Sequence, residues 1–86
     1  MEKEDVIIYK MIDEILWNDW DPIGINDIAP RDEYYMYIPS IFALKKTGAS
    51  KEEIANQLYK IETERIGLVG SLENCLLVAD KILGIN

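Results

Sequence analysis

The chain has 86 residues, 49% of them hydrophobic, and carries nine basic and sixteen acidic side chains with no histidine, for a formal net charge of −7. One folded domain is expected, because this length suits a single core and this hydrophobic content is too high for an acidic disordered tail. The charge argues against a nucleic-acid binder, because neutralising phosphate groups requires a basic surface.

The cysteine content and the lengths of the apolar runs indicate where the protein is found and whether it can bind a metal. Cys75 is the single cysteine, which excludes an intramolecular disulfide and, without histidine, leaves too few ligands for a tetrahedral zinc site. No apolar run approaches the roughly 20 residues that cross a bilayer, and the N-terminus is acidic where a signal peptide is basic. We therefore predict a cytoplasmic protein in a reducing compartment, with no metal or other cofactor and no membrane association.

The first predicted helix runs from about Glu4 to Trp17 and is amphipathic, with acidic side chains on its outer face. Its apolar face is expected to contain Ile8, Met11, Ile12, Ile15 and Leu16. The residues that follow include Pro22, Gly24 and Pro30, which together forbid a continuous helix. Residues 19–31 are therefore predicted to form an ordered loop or short turns between helices 1 and 2.

The second helix is predicted from about Glu33 to Thr47, and it closes on Gly48 in the left-handed conformation. Pro39 leaves two interpretations: it lies in the first turn of a helix that starts near Ile38, or it kinks a longer helix. We favour a loosely wound start at Asp32 that leads into a regular helix.

The third and fourth helices have recognisable start signals. Ser50 and Glu53 form an S-x-x-E capping box, so helix 3 is predicted to begin at Lys51 and to stop at Gly67, and Ser71 is predicted to cap helix 4. The apolar face of helix 3 is expected to contain Ile54, Leu58 and Ile61. The apolar face of helix 4 is expected to contain Leu72, Cys75, Leu76, Ala79, Ile82 and Leu83.

These four patterns predict an all-α fold, a bundle of four helices in a single domain that spans residues 1–86, with an ordered Pro/Gly-containing loop between helices 1 and 2. The short connections after Gly48 and Gly67 favour antiparallel neighbours for helices 2 to 4. The predicted core contains Ile8, Ile12, Ile15, Leu58, Ile61, Cys75, Leu76, Ala79 and Ile82.

Catalytic chemistry has few candidate side chains in this chain. Without histidine the usual nucleophile–base triads are impossible. Adjacent carboxylates such as Glu52 and Glu53 point in different directions on a helix, and as first-turn charges they complement the helix dipole. Cys75 lies on an apolar face and is predicted to be a buried, inert thiol. We therefore predict that the protein is not an enzyme.

Charged and aromatic residues are distributed unevenly along the chain. Residues 1–38 contain ten acidic and three basic side chains, a net charge of −7, whereas residues 39–86 contain six of each. The first part also holds six of the eight aromatic residues, namely Tyr9, Trp17, Trp20, Tyr34, Tyr35 and Tyr37. Because aromatic side chains supply buried area at interfaces and carboxylates steer basic partners, this part is predicted to bind a basic protein.

The residues predicted to contact that partner surround the start of helix 2. They are Asp21, Asp27, Asp32, Glu33, Tyr34, Tyr35 and Tyr37. Two structural interpretations stay open beside this one. In the first, Trp20 and at least one tyrosine fill the end of the bundle, and the loop backbone satisfies their polar atoms. In the second, the acidic residues of helix 1 simply form a face exposed to solvent.

Six short segments between residues 17 and 67 form a further pattern. They are W-D-P-I-G at 20–24, D-E-Y at 32–34, Y-I-P at 37–39, G-A at 48–49, E-E-I-A at 52–55 and I-E at 61–62. In these segments the chain resembles a group of small bacterial helical proteins that includes the YugE-like family, and some similar short acidic proteins resemble immunity proteins encoded beside polymorphic or contact-dependent toxins. The resemblance implies the helical fold more strongly than a function.

Two functions are predicted as alternatives. The first is an immunity protein that binds and neutralises a basic cognate toxin domain, which suits the small size, the acidity and the lack of catalytic groups. The second is a regulatory or scaffold module without catalytic activity, in one form a homodimer that pairs through exposed apolar residues of helix 1 or helix 4. Complex formation by an acidic inhibitor should weaken with salt, whereas pairing through apolar residues should not.

Overall fold

The computed structural model describes residues 2–20 and 34–85. Of the loop predicted at residues 19–31, residues 21–31 lie outside the described residues, and the prediction is wrong for residues 19 and 20, which belong to a π-helical turn. Four of the predicted partner contacts, Asp21, Asp27, Asp32 and Glu33, also lie outside the described residues.

Helices make up the described part of the chain, which contains no strand, and the prediction of an all-α single domain with four helices is confirmed. Short π-helical and 3-10 turns extend three of the α-helices. In chain order the elements are α1 (Lys3–Ile15), a π-helical turn (Leu16–Trp20), a 3-10 turn (Tyr35–Tyr37), α2 (Ile38–Lys46), α3 (Lys51–Lys60), a second π-helical turn (Ile61–Ile66) and α4 (Leu72–Leu83). None of these helices has the length and apolar content that crossing a bilayer requires.

The first π-helical turn carries the helical backbone beyond Trp17, where helix 1 was predicted to end. Hydrogen bonds in a π-helix join residues five apart, which widens the turn and keeps side chains four apart nearly in line. Ile12, Leu16 and Trp20 therefore all face the interior, and all three are buried. Residues four and eight apart also share one stripe of an α-helix, so Trp20 continues the buried face that Ile12 and Leu16 begin.

The start of helix 2 resolves the two interpretations of Pro39. The α-helix begins at Ile38, so Pro39 lies in its first turn, and the 3-10 turn before it is a more tightly wound start. At the other end Gly48 has a φ of 80°, and this left-handed conformation closes the helix as predicted.

The predicted caps of α3 and α4 are confirmed. The Ser50 hydroxyl accepts a hydrogen bond from the Glu53 backbone N–H at 3.1 Å, and the Glu53 carboxylate accepts one from the Ser50 N–H at 3.2 Å. Gly67, with a φ of 85°, ends the second π-helical turn. The Ser71 hydroxyl accepts from the Asn74 N–H at 3.2 Å at the start of α4. These bonds satisfy backbone donors that a helix N-terminus otherwise leaves unpaired.

The helix ends meet in two groups. Trp20, which follows α1, contacts Glu62 beyond α3 and lies near the start of α4, where Ser71 also bonds Glu62. At the opposite end Asp5 in the first turn of α1 pairs with Lys46 in the last turn of α2. Consecutive helices therefore run antiparallel. We name the first group the aromatic end (Trp20, Tyr34, Tyr37 and Glu62) and the second the lysine end (Asp5, Lys45, Lys46 and Ile85).

The core matches the predicted one in most positions. Of the predicted core residues, six are buried, Ile12, Leu58, Ile61, Cys75, Ala79 and Ile82, and three are partly buried, Ile8, Ile15 and Leu76. The predicted apolar faces of helices 1 and 4 were too wide, because Met11, Leu72 and Leu83 are exposed. Further buried residues that were not predicted are Tyr34, Ile38, Ile41, Ala55, Val78 and Ile85.

Candidate functional site

A buried carboxylate lies at the centre of the aromatic end. Glu62 is only 3% exposed, and it is the single charged residue among the buried side chains of the described part of the chain. Its Oε1 accepts hydrogen bonds from the Trp20 indole Nε1 at 3.1 Å and from the Cys75 thiol at 3.3 Å. Its Oε2 accepts one from the Ser71 backbone N–H at 3.2 Å. Three neutral donors thus replace the water that this carboxylate loses on folding.

The local fold explains why a carboxylate is tolerated there. Glu62 lies in the second π-helical turn, four residues after the buried Leu58, so the wide turn keeps it on the interior face. The residue that donates to it, Ser71, is the N-cap of α4. The partial positive charge of a helix N-terminus stabilises a nearby negative charge.

Aromatic rings pack around the indole that donates to Glu62. The Trp20 ring centroid lies 5.4 Å from that of Tyr34 and 5.9 Å from that of Tyr37, in an edge-to-face arrangement with the latter. The Trp17 ring lies 6.0 Å from Tyr34, and the Arg65 guanidinium is 5.9 Å from the Tyr37 ring centroid. Such contacts stabilise beyond the area that they bury.

The interpretation in which Trp20 and one tyrosine plug the bundle end matches this arrangement, since Trp20 and Tyr34 are both buried. One detail of it is wrong, because the indole N–H donates to the side chain of Glu62 and not to the loop backbone. Sequence reasoning assigned no role to Glu62. A usable signal was present, because Glu62 follows Leu58 by four residues and Ile54 by eight, on a face that is otherwise apolar.

Cys75 is buried and donates its S–H to Glu62. Burial raises the pKa of the Cys75 thiol to about 12, with additional contributions from the hydrogen bond to Glu62 and from its negative charge. At neutral pH the thiol therefore keeps its proton, which makes it a hydrogen-bond donor and a poor nucleophile.

The structure separates the three tyrosines that were predicted to contact a partner. Tyr34 is 2% exposed and Tyr37 is partly buried, and both rings pack against Trp20. Tyr35 points away from this cluster and is 49% exposed, and its neighbour Met36 is 68% exposed. Of the three, Tyr35 therefore offers the most surface to another molecule.

Tyr35 also borders a groove between α1 and the 3-10 turn. The groove has a volume of about 180 Å³ and is lined by Tyr9, Lys10, Asp13, Tyr35 and Ile38. Two phenol rings and one aliphatic side chain form its apolar surface, and one cation and one carboxylate stand at its polar positions. Such a lining suits the insertion of a side chain from a protein partner, with the charged groups selecting its orientation.

The described residues offer no metal centre, because within 2–20 and 34–85 no three His, Cys, Asp or Glu side chains are grouped closely enough to hold an ion. The resemblance to the YugE-like group stays a prediction. Comparisons of this chain with known protein families, with curated proteins and with solved structures found no match.

Proposed function

We propose that this chain is a small acidic protein-binding protein without catalytic activity, and that it acts as an immunity protein by binding and neutralising a basic bacterial toxin domain. The observation that carries the proposal is Tyr35, an exposed aromatic residue at the edge of a groove in the acidic part of the chain. An exposed tyrosine beside a concave apolar surface is the kind of residue that dominates the binding energy of protein interfaces.

The neighbours of Tyr35 support its use as an anchor. Tyr34 and Tyr37, on either side of it in the chain, are held against the buried Trp20. The Trp20 indole is in turn held by Glu62 at 3.1 Å. The backbone that carries Tyr35 is thus attached to the core at two points. Binding through a side chain on an ordered turn loses less conformational entropy than binding through a mobile one.

The charge of the described residues supports a basic partner. Residues 2–20 contain six acidic and two basic side chains, whereas residues 34–85 contain six of each. The excess negative charge of the described part therefore lies on α1 and its π-helical extension. Charges at the edge of an interface mainly accelerate the encounter with a partner of opposite sign.

Co-expression with the product of the adjacent reading frame tests the proposal. We expect the chain to form a complex with that product, to relieve its toxicity, and to associate more slowly as salt increases. Tyr35→Ala should speed dissociation by about tenfold or more, the effect of removing an interface anchor. Tyr59→Ala is the matched control, since Tyr59 is a partly exposed tyrosine on α3, in the part of the chain with no net charge.

Two results would contradict the proposal. In one, Tyr35→Ala still binds the product and protects against its toxicity, whereas Tyr59→Ala does neither. The other is the absence of both binding and protection when the two chains are co-expressed as folded proteins.

The second candidate, a non-catalytic regulatory or scaffold module that pairs with itself, is favoured by a different observation. Apolar side chains are exposed on α1, at Val6, Ile7 and Met11, and on α4, where Leu77 is 61% exposed. Scattered apolar residues are common on protein surfaces, so exposure alone does not identify an interface. Self-association of the purified chain without binding to the product of the adjacent reading frame would favour this candidate over a basic partner.

A further inference from the structure

The surface of α4 around Leu77 has a specific order of side chains. Glu73, Leu77 and Lys81 follow one another at intervals of four residues, so they form one row along the helix. All three are exposed, and Leu77 is 61% exposed although it lies in the middle of the helix. The row therefore reads as acid, leucine, base, with the leucine at its centre.

A groove runs beside this row. It has a volume of about 370 Å³ and is lined by Asp19, Asn74, Leu77, Val78, Asp80 and Lys81. Residues at positions i, i+3, i+4 and i+7 of a helix surround the hole that receives a side chain from a facing helix, and residues 74, 77, 78 and 81 have this spacing. The surface beside Leu77 thus has the spacing of a hole for a side chain from another helix, with Leu77 and Val78 apolar and the remaining lining residues polar or charged.

We propose that this surface binds a second copy of the same chain, with the two α4 helices antiparallel across a two-fold axis at Leu77. In a two-fold pair the same surface of each copy forms the interface, so this surface must match itself in shape and charge. Helices that cross with their i±4 rows side by side place Leu77 against Leu77 of the second copy. Because the rows run in opposite directions, Glu73 of each copy then faces Lys81 of the other.

Charge complementarity is what selects a second copy as the occupant. Reversing the direction of the row exchanges its acidic and basic ends, so both ends are matched by opposite charges. Lys81 is already oriented by Asp19, whose Oδ1 accepts a hydrogen bond from its Nζ at 2.9 Å. The Lys81 side chain is still 55% exposed, and its three donors allow it to bond Glu73 of the second copy as well.

The inference deepens the second candidate function, pairing of the chain with itself, by naming the surface and its geometry, and it does not depend on the toxin-binding proposal. The surface on α4 shares no lining residue with the Tyr35 groove. A single helix pair buries little area, so the association is expected to be weak and to depend on concentration. Its test uses no molecule other than the chain itself, so its failure leaves the toxin-binding proposal untouched.

Sedimentation velocity of the purified chain over a series of concentrations tests the pairing. We expect a monomer–dimer equilibrium that Glu73→Lys weakens about tenfold or more, because two facing pairs become repulsive. Lys81→Glu should weaken it similarly, and the double variant with both charges exchanged should restore the dimer when Asp19→Asn is added, because the new carboxylate at position 81 would otherwise face Asp19. Leu72→Ser is the matched control, because Leu72 is an exposed leucine of α4 that lies about 140° around the helix from Leu77.

A cysteine placed on the axis gives an independent readout. In Leu77→Cys combined with Cys75→Ser, the two-fold axis brings position 77 of both copies together, so mild oxidation should form a covalent dimer. Circular dichroism of each variant establishes that it is folded. A chain that stays monomeric throughout the series would overturn the inference. So would a dimer that neither Glu73→Lys nor Lys81→Glu weakens, or one that Tyr35→Ala abolishes, since the self-association would then use another surface.

Discussion

The two ends of the bundle hold their charged groups in different ways. At the aromatic end the Glu62 carboxylate is almost fully buried and receives hydrogen bonds from an indole, a thiol and a backbone N–H. At the lysine end the Lys46 side chain is 48% exposed, and it pairs at 2.9 Å with Asp5, whose side chain is 17% exposed. One end therefore depends on desolvated neutral donors, whereas the other has an ion pair whose lysine is open to water.

This difference determines where the bundle is sensitive to substitution. A buried carboxylate that loses a donor has no water to replace it, so the full desolvation penalty appears in the free energy of unfolding. An exposed ion pair returns to water when it is broken, and most such pairs contribute little. The aromatic end also carries the tyrosine that we propose as a partner anchor, so its rigidity bears on binding as well as on stability.

Trp20→Ala should have the largest effect. Truncating a large buried aromatic residue lowers the free energy of unfolding by about 3 to 5 kcal/mol, and here it also removes a donor to Glu62. Chemical denaturation followed by circular dichroism measures the loss. Trp20→Phe should retain most of the packing and lose mainly the indole hydrogen bond. If Trp20→Ala bound its partner poorly yet melted like the unsubstituted protein, Trp20 would be a recognition residue.

Glu62→Gln should come next, with a loss of about 1 to 3 kcal/mol, the cost of leaving a buried polar group unsatisfied. A neutral amide has one carbonyl oxygen, so it cannot accept from Trp20 and Ser71 through separate oxygens as the carboxylate does. Glu64→Gln is the control, because Glu64 lies in the same π-helical turn but is exposed. Equal losses in the two variants would show that burial of the carboxylate does not matter.

Cys75→Ser should change how the free energy of unfolding depends on pH in the alkaline range. The Cys75 thiol has a pKa raised by burial from 9.0 to about 12, so its protonated form is favoured in the folded state. Its contribution to stability is complete below pH 9 and is lost as the pH rises from 9 through 12. The unfolding free energy of the unsubstituted protein minus that of Cys75→Ser should fall by up to about 1.4 kcal/mol per pH unit. A difference that stays constant over that range would contradict the buried thiol–carboxylate contact.

Asp5→Asn should have the smallest effect. The hydrogen bond and charge of Asp5, helped by Glu2 and Glu4, raise the pKa of Lys46, so the pair stabilises the fold below the ordinary lysine pKa of 10.5 and not far above it. Because the lysine of the pair is open to solvent, the shift in the urea midpoint at neutral pH should be smaller than that of Glu62→Gln and should decrease at high salt. A shift as large as that of Glu62→Gln would mean that the two ends do not differ as proposed.

The end of α2 and the starts of α3 and α4 were predictable from the sequence because their signals are local, whereas helix 1 extends past its predicted end at Trp17. The reciprocal bonds of Ser50 and Glu53, the cap at Ser71 and the left-handed Gly48 each involve residues within a few positions of one another. Chemistry at that range depends on side-chain type and spacing, which the sequence displays directly. The all-α fold follows from the same signals combined with the 3.6-residue period of the apolar residues.

The candidate site was predictable only in part. Tyr35 was among the predicted contacts, but the pattern did not distinguish it from Tyr34 and Tyr37, because the winding of the chain around Pro39 sets which ring faces outward. Met11, Leu72 and Leu83 were placed on apolar faces for a similar reason. A helical pattern identifies an apolar stripe, whereas the width of the stripe that neighbours cover depends on how the helices pack.

The sequence by itself therefore determined the four helices, the caps of α3 and α4, and the concentration of acidic and aromatic residues before Pro39. Its helical period also placed Glu62 on an apolar face. Tertiary structure alone decided that Trp20 and Cys75 donate to Glu62, since Trp20 lies 42 positions away in the chain and the two meet only when the ends of α1 and α3 pack together. Burial of a carboxylate is favourable only when donors from other elements replace the lost water, and no local pattern supplies those donors.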